Sequence, residues 1–340
     1  MKPLAPARLA AVLAGLALLL AAALLAGLVV GPSELAPGEA LRALVDPAAG
    51  PASDIVRRIR LPRVAAAALV GASLALAGVC FQALLRNPLA DPYVLGISGG
   101  AALAGVAVLS LGAALGLGAA AVPPAAFAGA LGATGLLFAV TGWRGRLSAT
   151  TLLLTGVVFN AFASAAIVFL ASLGGMSEGA GIFLWLIGTL ASAGGPLLVA
   201  LAALLAAGLA CAWPRARALD LLTLGDDTAE QLGVPVERTK RWLLVATALV
   251  VGGAVSVSGL IGFVGLIVPH ALRLLFGPDH RLLVPAAALA GGAFLVVCDT
   301  LARIALAGRE LPVGAITALV GGPLFLVLLR RQQGGRGELP

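Results

Sequence analysis

The sequence predicts an all-α, polytopic membrane protein of about ten transmembrane helices, folded as a single transmembrane domain over residues 1–340. Three observations lead there. Of the 340 residues, 61% are hydrophobic, and the mean hydropathy is +1.08. Only 11% are charged, against roughly 25% in an ordinary soluble domain. The apolar residues fall in runs of about 20, the length at which a helix crosses a hydrocarbon core of about 30 Å.

The first run, 9–30, follows Lys2 and Arg8 and superficially suits a signal peptide. Its uncharged length exceeds a signal core of about 7 to 15 residues, so it reads as a first span with a cytoplasmic N-terminus. Further spans are expected at 64–85, 94–117, 124–143, 151–173, 182–213, 242–258, 260–276, 282–306 and 313–329. The run 182–213 is too long for one span, and a short interfacial helix is expected before a span starting near Gly195. The stretch 242–276 must hold two helices separated around Gly259.

Charge orients the chain. With the N-terminus inside, the inner segments hold Lys2, Arg8, Arg86, Arg144, Arg146, Arg215, Arg217, Arg238, Lys240, Arg241, Arg273, Arg281, Arg330, Arg331 and Arg336, most of the 22 lysines and arginines. That bias is the positive-inside pattern, and it returns the C-terminus to the cytoplasm. It also accounts for the formal charge of +7 without nucleic acid. Arg42, Arg57, Arg58, Arg60, Arg63, Arg303 and Arg309 fall outside, against the trend, in the first outer loop and near the last outer turn. Two readings stay open for them: an acidic partner outside, or a solvated translocated loop.

Several function classes are excluded or weakened. The only lysines, Lys2 and Lys240, follow Met1 and Thr239, so no Gly-Lys-Ser/Thr phosphate loop exists and the chain carries no P-loop ATPase of its own. Cys80, Cys211 and Cys298 are isolated, and His270 and His280 lack partners at metal-ligand spacing, which speaks against a resident metal, a cofactor or an integral enzyme. A secondary transporter or channel working without an ATPase is the alternative. It has thin support, because Asp299 is the one acid found inside a span.

The longest inner loop, 214–241, carries chemistry of its own. Asp227 followed by Glu230 matches a helix-starting box with Asp227 in the cap, and Gly233 with Pro235 supplies a stop. A short rigid helix there suits docking of a soluble partner better than a passive linker. The turn 82–92 holds two prolines and several polar groups at membrane depth, as a pathway wall could. The glycine-rich stretch 258–270 contains Pro269, read as a kink. Close packing is expected at Gly71 with Ala75 and at Gly252 with Ser256. Asn160 either lines a path or bonds a neighbouring helix.

Ordered motifs then carry a resemblance across essentially the whole chain. These are Arg60-Leu-Pro-Arg63, Gln82 with Asn87-Pro-Leu-Ala-Asp-Pro92, Leu95-Gly-Ile-Ser-Gly-Gly-Ala101, the loop from Gly225 to Pro235, Gly262-Phe-Val-Gly-Leu-Ile-Val-Pro-His270, Asp279-His-Arg281, Asp299 with Arg303, and Glu310-Leu-Pro-Val-Gly314. Together they resemble the permease subunits of ATP-binding-cassette importers for iron-siderophores, haem and cobalamin.

The resemblance implies a ten-helix importer permease in the bacterial inner membrane. It pairs with a second copy of itself, with two ATP-binding-cassette ATPase subunits that use ATP and Mg, and with a periplasmic substrate-binding protein. Residues matching the family's coupling helices are Leu224, Gly225, Asp226, Asp227, Glu230, Gly233 and Pro235. Those matching its binding-protein contacts are Arg60, Arg63 and Arg303, although Arg303 could instead pair with Asp299 one turn before it. The matching cytoplasmic gate is Asn87, Leu89, Ser148, Ala149 and Thr150, with Ala149 departing from the family's hydroxyl pattern. The resemblance implies no cofactor bound by this chain, and its cargo is an iron chelate or cobalamin.

Overall fold

The computed structural model describes residues 5–33, 35–46, 50–142, 146–173, 176–190, 194–306 and 309–334. Lys2, Arg144 and Arg336 of the expected charge pattern, and Trp143 at the end of the fourth expected span, lie outside them. The elements are helices: α1 Pro6–Val29, α2 Pro37–Val45, α3 Pro51–Asp54, α4 Leu61–Leu84, α5 Ile97–Leu111, α6 Val122–Thr141, α7 Ala149–Leu173, α8 Met176–Ile187, α9 Gly195–Ala212, α10 Ala216–Leu222, α11 Asp226–Gln231, α12 Val236–Ser258, α13 Val264–Phe276, α14 His280–Ile304 and α15 Val313–Gly334. Among the described residues no β-strand forms.

Seven helical runs are long and apolar enough to cross a membrane, and the shorter apolar helices α5, α13 and α15 stand at the remaining expected positions. The sequence-based boundaries need three corrections. The span expected from Val94 begins only at Ile97, because the segment after Leu84 is a chain of turns. The span expected from Leu260 begins at Val264, since Gly259 (φ +65°) and Phe263 (φ +71°) break the helical path between α12 and α13. Of the arginines expected in the first outer loop, Arg42 lies on α2, and Arg57, Arg58, Arg60 and Arg63 ride a continuous helical run, Pro51–Leu84, in which a π-helical stretch, Ile55–Arg60, joins α3 to α4. The long run after Ile182 divides as expected, and α9 starts at Gly195.

Packing follows from small residues. Lipid is as apolar as leucine, so helices gain by approaching closely rather than by hiding apolar surface. On α4, Gly71 lies so near the Gly291 carbonyl of α14 that a β-carbon at either glycine would collide with the other's backbone, and Ala75 closes on Gly291 beside it. Gly100 of α5 and Gly129 of α6 make the equivalent contact. Gly252 of α12 packs on Ala130 and Phe127. The helices α4, α12 and α14 form the buried centre, while α1, α7 and α9 leave most of their apolar surface on the outside.

Pro269 illustrates how the centre satisfies its backbone. A proline inside a helix cannot donate to the carbonyl four residues earlier, here that of Gly265. The Gln82 side-chain amide of α4 reaches that carbonyl at 3.5 Å and the Leu266 carbonyl at 3.3 Å. The kink and Gln82 are thus one device.

The bundle has two charged ends. At one, Arg8 donates to the Phe276 carbonyl, Arg86 and Lys240 meet Asp226, and the His280 ring touches Asp220 at 2.6 Å. At the other, Arg60, Arg63 and Arg303 gather around the last turn of α1 and Asp299. The 24 residues of α4 separate the ends by about 36 Å at the α-helical rise. Residues assigned to one side by charge therefore do collect at one end.

Candidate functional site

At the loop end, α10 and α11 stand between α9 and α12. The capping box expected at Asp227 is not what starts α11. Gly225 occupies the N-cap with φ +119° and ψ +153°, no side chain caps the helix, and Asp226 and Asp227 both lie in its first turn. Asp226 instead meets Lys240, whose Nζ stands 2.6 Å from its Oδ2. Carboxylates in a first turn still complement the helix dipole.

The stop is as expected, and its geometry is explicit. Val234 N–H donates to the Ala229 carbonyl and Gly233 N–H to the Glu230 carbonyl, with Gly233 at φ +85°. This is the paired-bond ending that requires a left-handed residue, which glycine adopts without steric penalty. Pro235 then takes the N-cap position of α12. Leu224 and Leu232, flanking α11, are 64% and 58% exposed.

Beside α11 lies a cleft of about 470 Å³ whose lining includes Arg86, Ser148, Thr150, Asp226 and Glu237. It brings two of the sequence-nominated groups together: the coupling residues and the start of α7. Ser148 and Thr150 are exposed there, whereas Ala149 packs against the core. Ala149 is half-buried and also lines the cleft, between these two hydroxyls. Asn87 and Leu89 do not line this cleft. Asn87 folds its own turn, accepting the Leu89 N–H on Oδ1 at 2.9 Å. Asn160 donates to the Tyr93 carbonyl at 2.7 Å, which settles its open alternative in favour of bonding a neighbouring segment.

Three residues at this end escaped the sequence reading. Glu237 Oε2 accepts the Leu147 N–H at 2.9 Å, Lys240 Nζ donates to the Leu147 carbonyl at 2.9 Å, and Arg86 Nη2 stands 3.9 Å from Asp226 Oδ2. Lys240 is only 2% exposed. One signal existed: a lysine within one turn of a glutamate at the start of an apolar helix shares a face with it.

The opposite end is built differently. Arg60 and Arg303 are each 3% exposed. Arg60 donates to the Leu28 and Val29 carbonyls at 2.8 and 2.7 Å and to Ser33 Oγ at 2.6 Å. Arg303 donates to the Gly27 and Val30 carbonyls at 2.9 and 3.1 Å. Four successive carbonyls at the end of α1, which a helix leaves without partners, are taken by two guanidiniums. Asp299 compensates the charge, 3.1 Å from Arg303 and 2.9 Å from Arg63, so the i, i+4 pairing held open in the sequence is present. Arg63 also meets Glu310 at 2.6 Å and is the one member of the three whose partner, Glu310, stands at the surface. In the chain by itself Arg60 and Arg303 point inward and are already bonded, so of the three arginines nominated for docking Arg63 is the one that reaches a surface partner.

Among the described residues, no group of three or more His, Cys, Asp or Glu could hold a metal ion.

Comparison with known proteins supplies the frame. Residues 17–331 match the profile of the FecCD transport family. The chain belongs to this family. It is 46% identical over 279 residues to the cobalamin import system permease protein BtuC of Halobacterium salinarum, a match covering 82% of this chain and 74% of the relative. It is 43% identical over 279 residues to the hemin transport system permease protein HmuU of Yersinia pestis, covering 81% and 83% of the two chains. Among solved structures, an inward-facing conformation of a metal-chelate type ABC transporter matches this FecCD member with a TM-score of 0.82 at 28% identity, over 95% of this chain and 99% of that one. The all-helical fold is therefore shared along nearly the full FecCD chain, and the protein is a multi-pass membrane transport protein.

Proposed function

We propose that this chain is the permease subunit of an ATP-driven importer that carries an iron chelate, ferric siderophore or haem, or cobalamin across the bacterial inner membrane. The cargo arrives on a periplasmic binding protein, and the permease works as a homodimer with two separate ATPase subunits that use ATP and Mg. Its N- and C-termini are cytoplasmic, and it binds no cofactor of its own. Relatives named for cobalamin and hemin transport support the cargo class.

The observation that carries the ATPase-coupled reading is α11. It is a six-residue helix held by a paired-bond stop and by Lys240, with Leu224 and Leu232 exposed on either side of it. Exposed leucines outside the apolar spans suit burial in a partner's groove. At the periplasmic end, Arg63 with Glu310 is the surface pair available to an acidic binding protein. Arg60 and Arg303 hold the end of α1 beneath it. Such charges steer and register a partner more than they set raw affinity.

The test is reconstitution of the chain in proteoliposomes, alone and with its ATPase and binding protein, while following ATP hydrolysis and uptake of labelled ferric siderophore, haem and cobalamin. Hydrolysis stimulated by the binding protein, with uptake of one ligand by the complex alone, is expected. Uptake by this chain without any ATPase would replace the reading with secondary transport.

A further inference from the structure

The start of α7 is tied to α11 through a single peptide. Leu147 lies between α6 and α7, its side chain 1% exposed, and both polar atoms of its backbone are claimed by one turn of α12. Glu237 accepts its N–H and Lys240 donates to its carbonyl, each at 2.9 Å. Residues three apart on a helix share a face, so α12 holds the Leu147 backbone as a fork holds a rod. The same Lys240 ammonium donates to Asp226 of α11 at 2.6 Å. On the far side of Asp226 stands Arg86, the residue before Asn87.

Resting on the permease reading above, we propose that Lys240 and Glu237 are the positioning residues that convert displacement of α11 by the ATPase into movement of the gate segment Leu147–Thr150. The physical reason is burial. Pulled off Asp226 or the Leu147 carbonyl, an ammonium this enclosed would be left buried without its partners, which is costly, so the three segments shift together or the link breaks. Two discrete arrangements of such a packed link are what transmit a change between sites. The neighbouring contacts of Arg146 with Asp227 and Glu230, at 4.0 and 3.7 Å, cannot do this, because all three side chains lie open to solvent and slide freely.

The experiment uses the complete complex in proteoliposomes with binding protein present, and reads substrate taken up per ATP hydrolysed. Lys240→Met and Glu237→Ala are expected to lower that ratio by roughly fivefold or more, the lower end of typical coupling between sites, while hydrolysis continues. Glu237→Gln, which keeps an acceptor oxygen for the Leu147 N–H, is expected to restore it. A purely structural role would lower assembled complex and both rates in proportion and leave the ratio unmoved. Should Lys240→Met not assemble, the Ala and Gln variants of Glu237 decide the matter by themselves. A wild-type complex that couples, with an unchanged ratio in the assembled variants, overturns the link alone. A wild-type complex whose hydrolysis the binding protein does not stimulate overturns the permease reading and the link with it.

Discussion

The two charged ends of the bundle use arginine, lysine and carboxylate for opposite purposes. At the end that holds Asp299, Arg60 and Arg303 turn inward to the α1 carbonyls, Ser33 and Asp299, and α1, α4 and α14, which carry most of these groups, are packed side by side through small residues. That network is a clamp. At the α11 end, Lys240, Glu237 and Arg86 connect a six-residue helix, an interhelical connection and the turn after α4. That network is a linkage. Burial alone does not distinguish them, since Arg60 and Lys240 are almost equally enclosed. What differs is what they bond: long helices packed side by side at one end, a short helix and connecting segments at the other.

Experiments that remove one group from each end would break or sharpen this contrast. The largest effect is expected from Asp299→Ala, which leaves the Arg63 and Arg303 guanidiniums close together with their shared carboxylate gone. A destabilisation of about 3–5 kcal/mol is expected for breaking a buried charge pair on one side, read as a fall of several degrees in the melting temperature of the purified protein in detergent. A loss under about 1 kcal/mol would mean the clamp does not depend on Asp299.

Next comes Arg60→Ala, which strands two α1 carbonyls and is expected to cost about 1–3 kcal/mol in the same measurement. Charge reversal at Arg60 would be worse, setting a carboxylate against carbonyl oxygens, so it is a poor probe of docking. Arg63→Glu is the cleaner one. It is expected to weaken binding-protein association more at low salt than at high salt, as exposed charge contacts do.

A smaller effect is expected at Asp279, the N-cap of α14, which accepts the Arg281 N–H at 2.9 Å. The Arg281 side chain bonded to it holds its carboxyl below the usual aspartate value. A depressed carboxylate stabilises the fold above its ordinary value, and that contribution is lost as the pH falls through the lowered one. Asp279→Ala is therefore expected to cost about 1 kcal/mol at pH 7, and the gap between wild-type and variant melting temperatures should close in acid. A gap that persists in acid would place the effect elsewhere.

The smallest effect on stability is expected from Asp227→Ala. Its pairing with Arg146 is open to water, so a change within about 0.5 kcal/mol is expected. Loss of binding-protein-stimulated ATP hydrolysis without loss of stability would mark Asp227 as a docking residue, whereas normal stimulation would confine docking to its neighbours.

Much of this was legible beforehand because it rests on local chemistry. The spans follow from runs of apolar residues, the end of α11 from Gly233 and Pro235, and the division before Gly195 from a run longer than a membrane is thick. The start of α11 differs from the one expected at Asp227 because Gly225, at φ +119°, takes the N-cap and draws Asp226 and Asp227 into the first turn, a backbone choice that a side-chain capping pattern does not record. The inward turn of Arg60 and Arg303 is not legible, because the orientation rule assigns a charge to a side but says nothing of its direction, and long side chains can turn inward to meet carbonyls.

The sequence by itself determined the membrane class, the approximate place of the apolar helices, the grouping of charges by end and the short helix in the loop 214–241. Each depends on composition and on spacing within a few residues. Only the tertiary structure decided that Arg60 and Arg303 cap α1, that Gln82 answers for Pro269, and that Lys240 and Glu237 grip Leu147. Those partners stand from 31 to 276 positions away except within α14, or come from helices whose rotation no periodicity reveals, because a helix apolar on every face gives no hint of which face meets its neighbour.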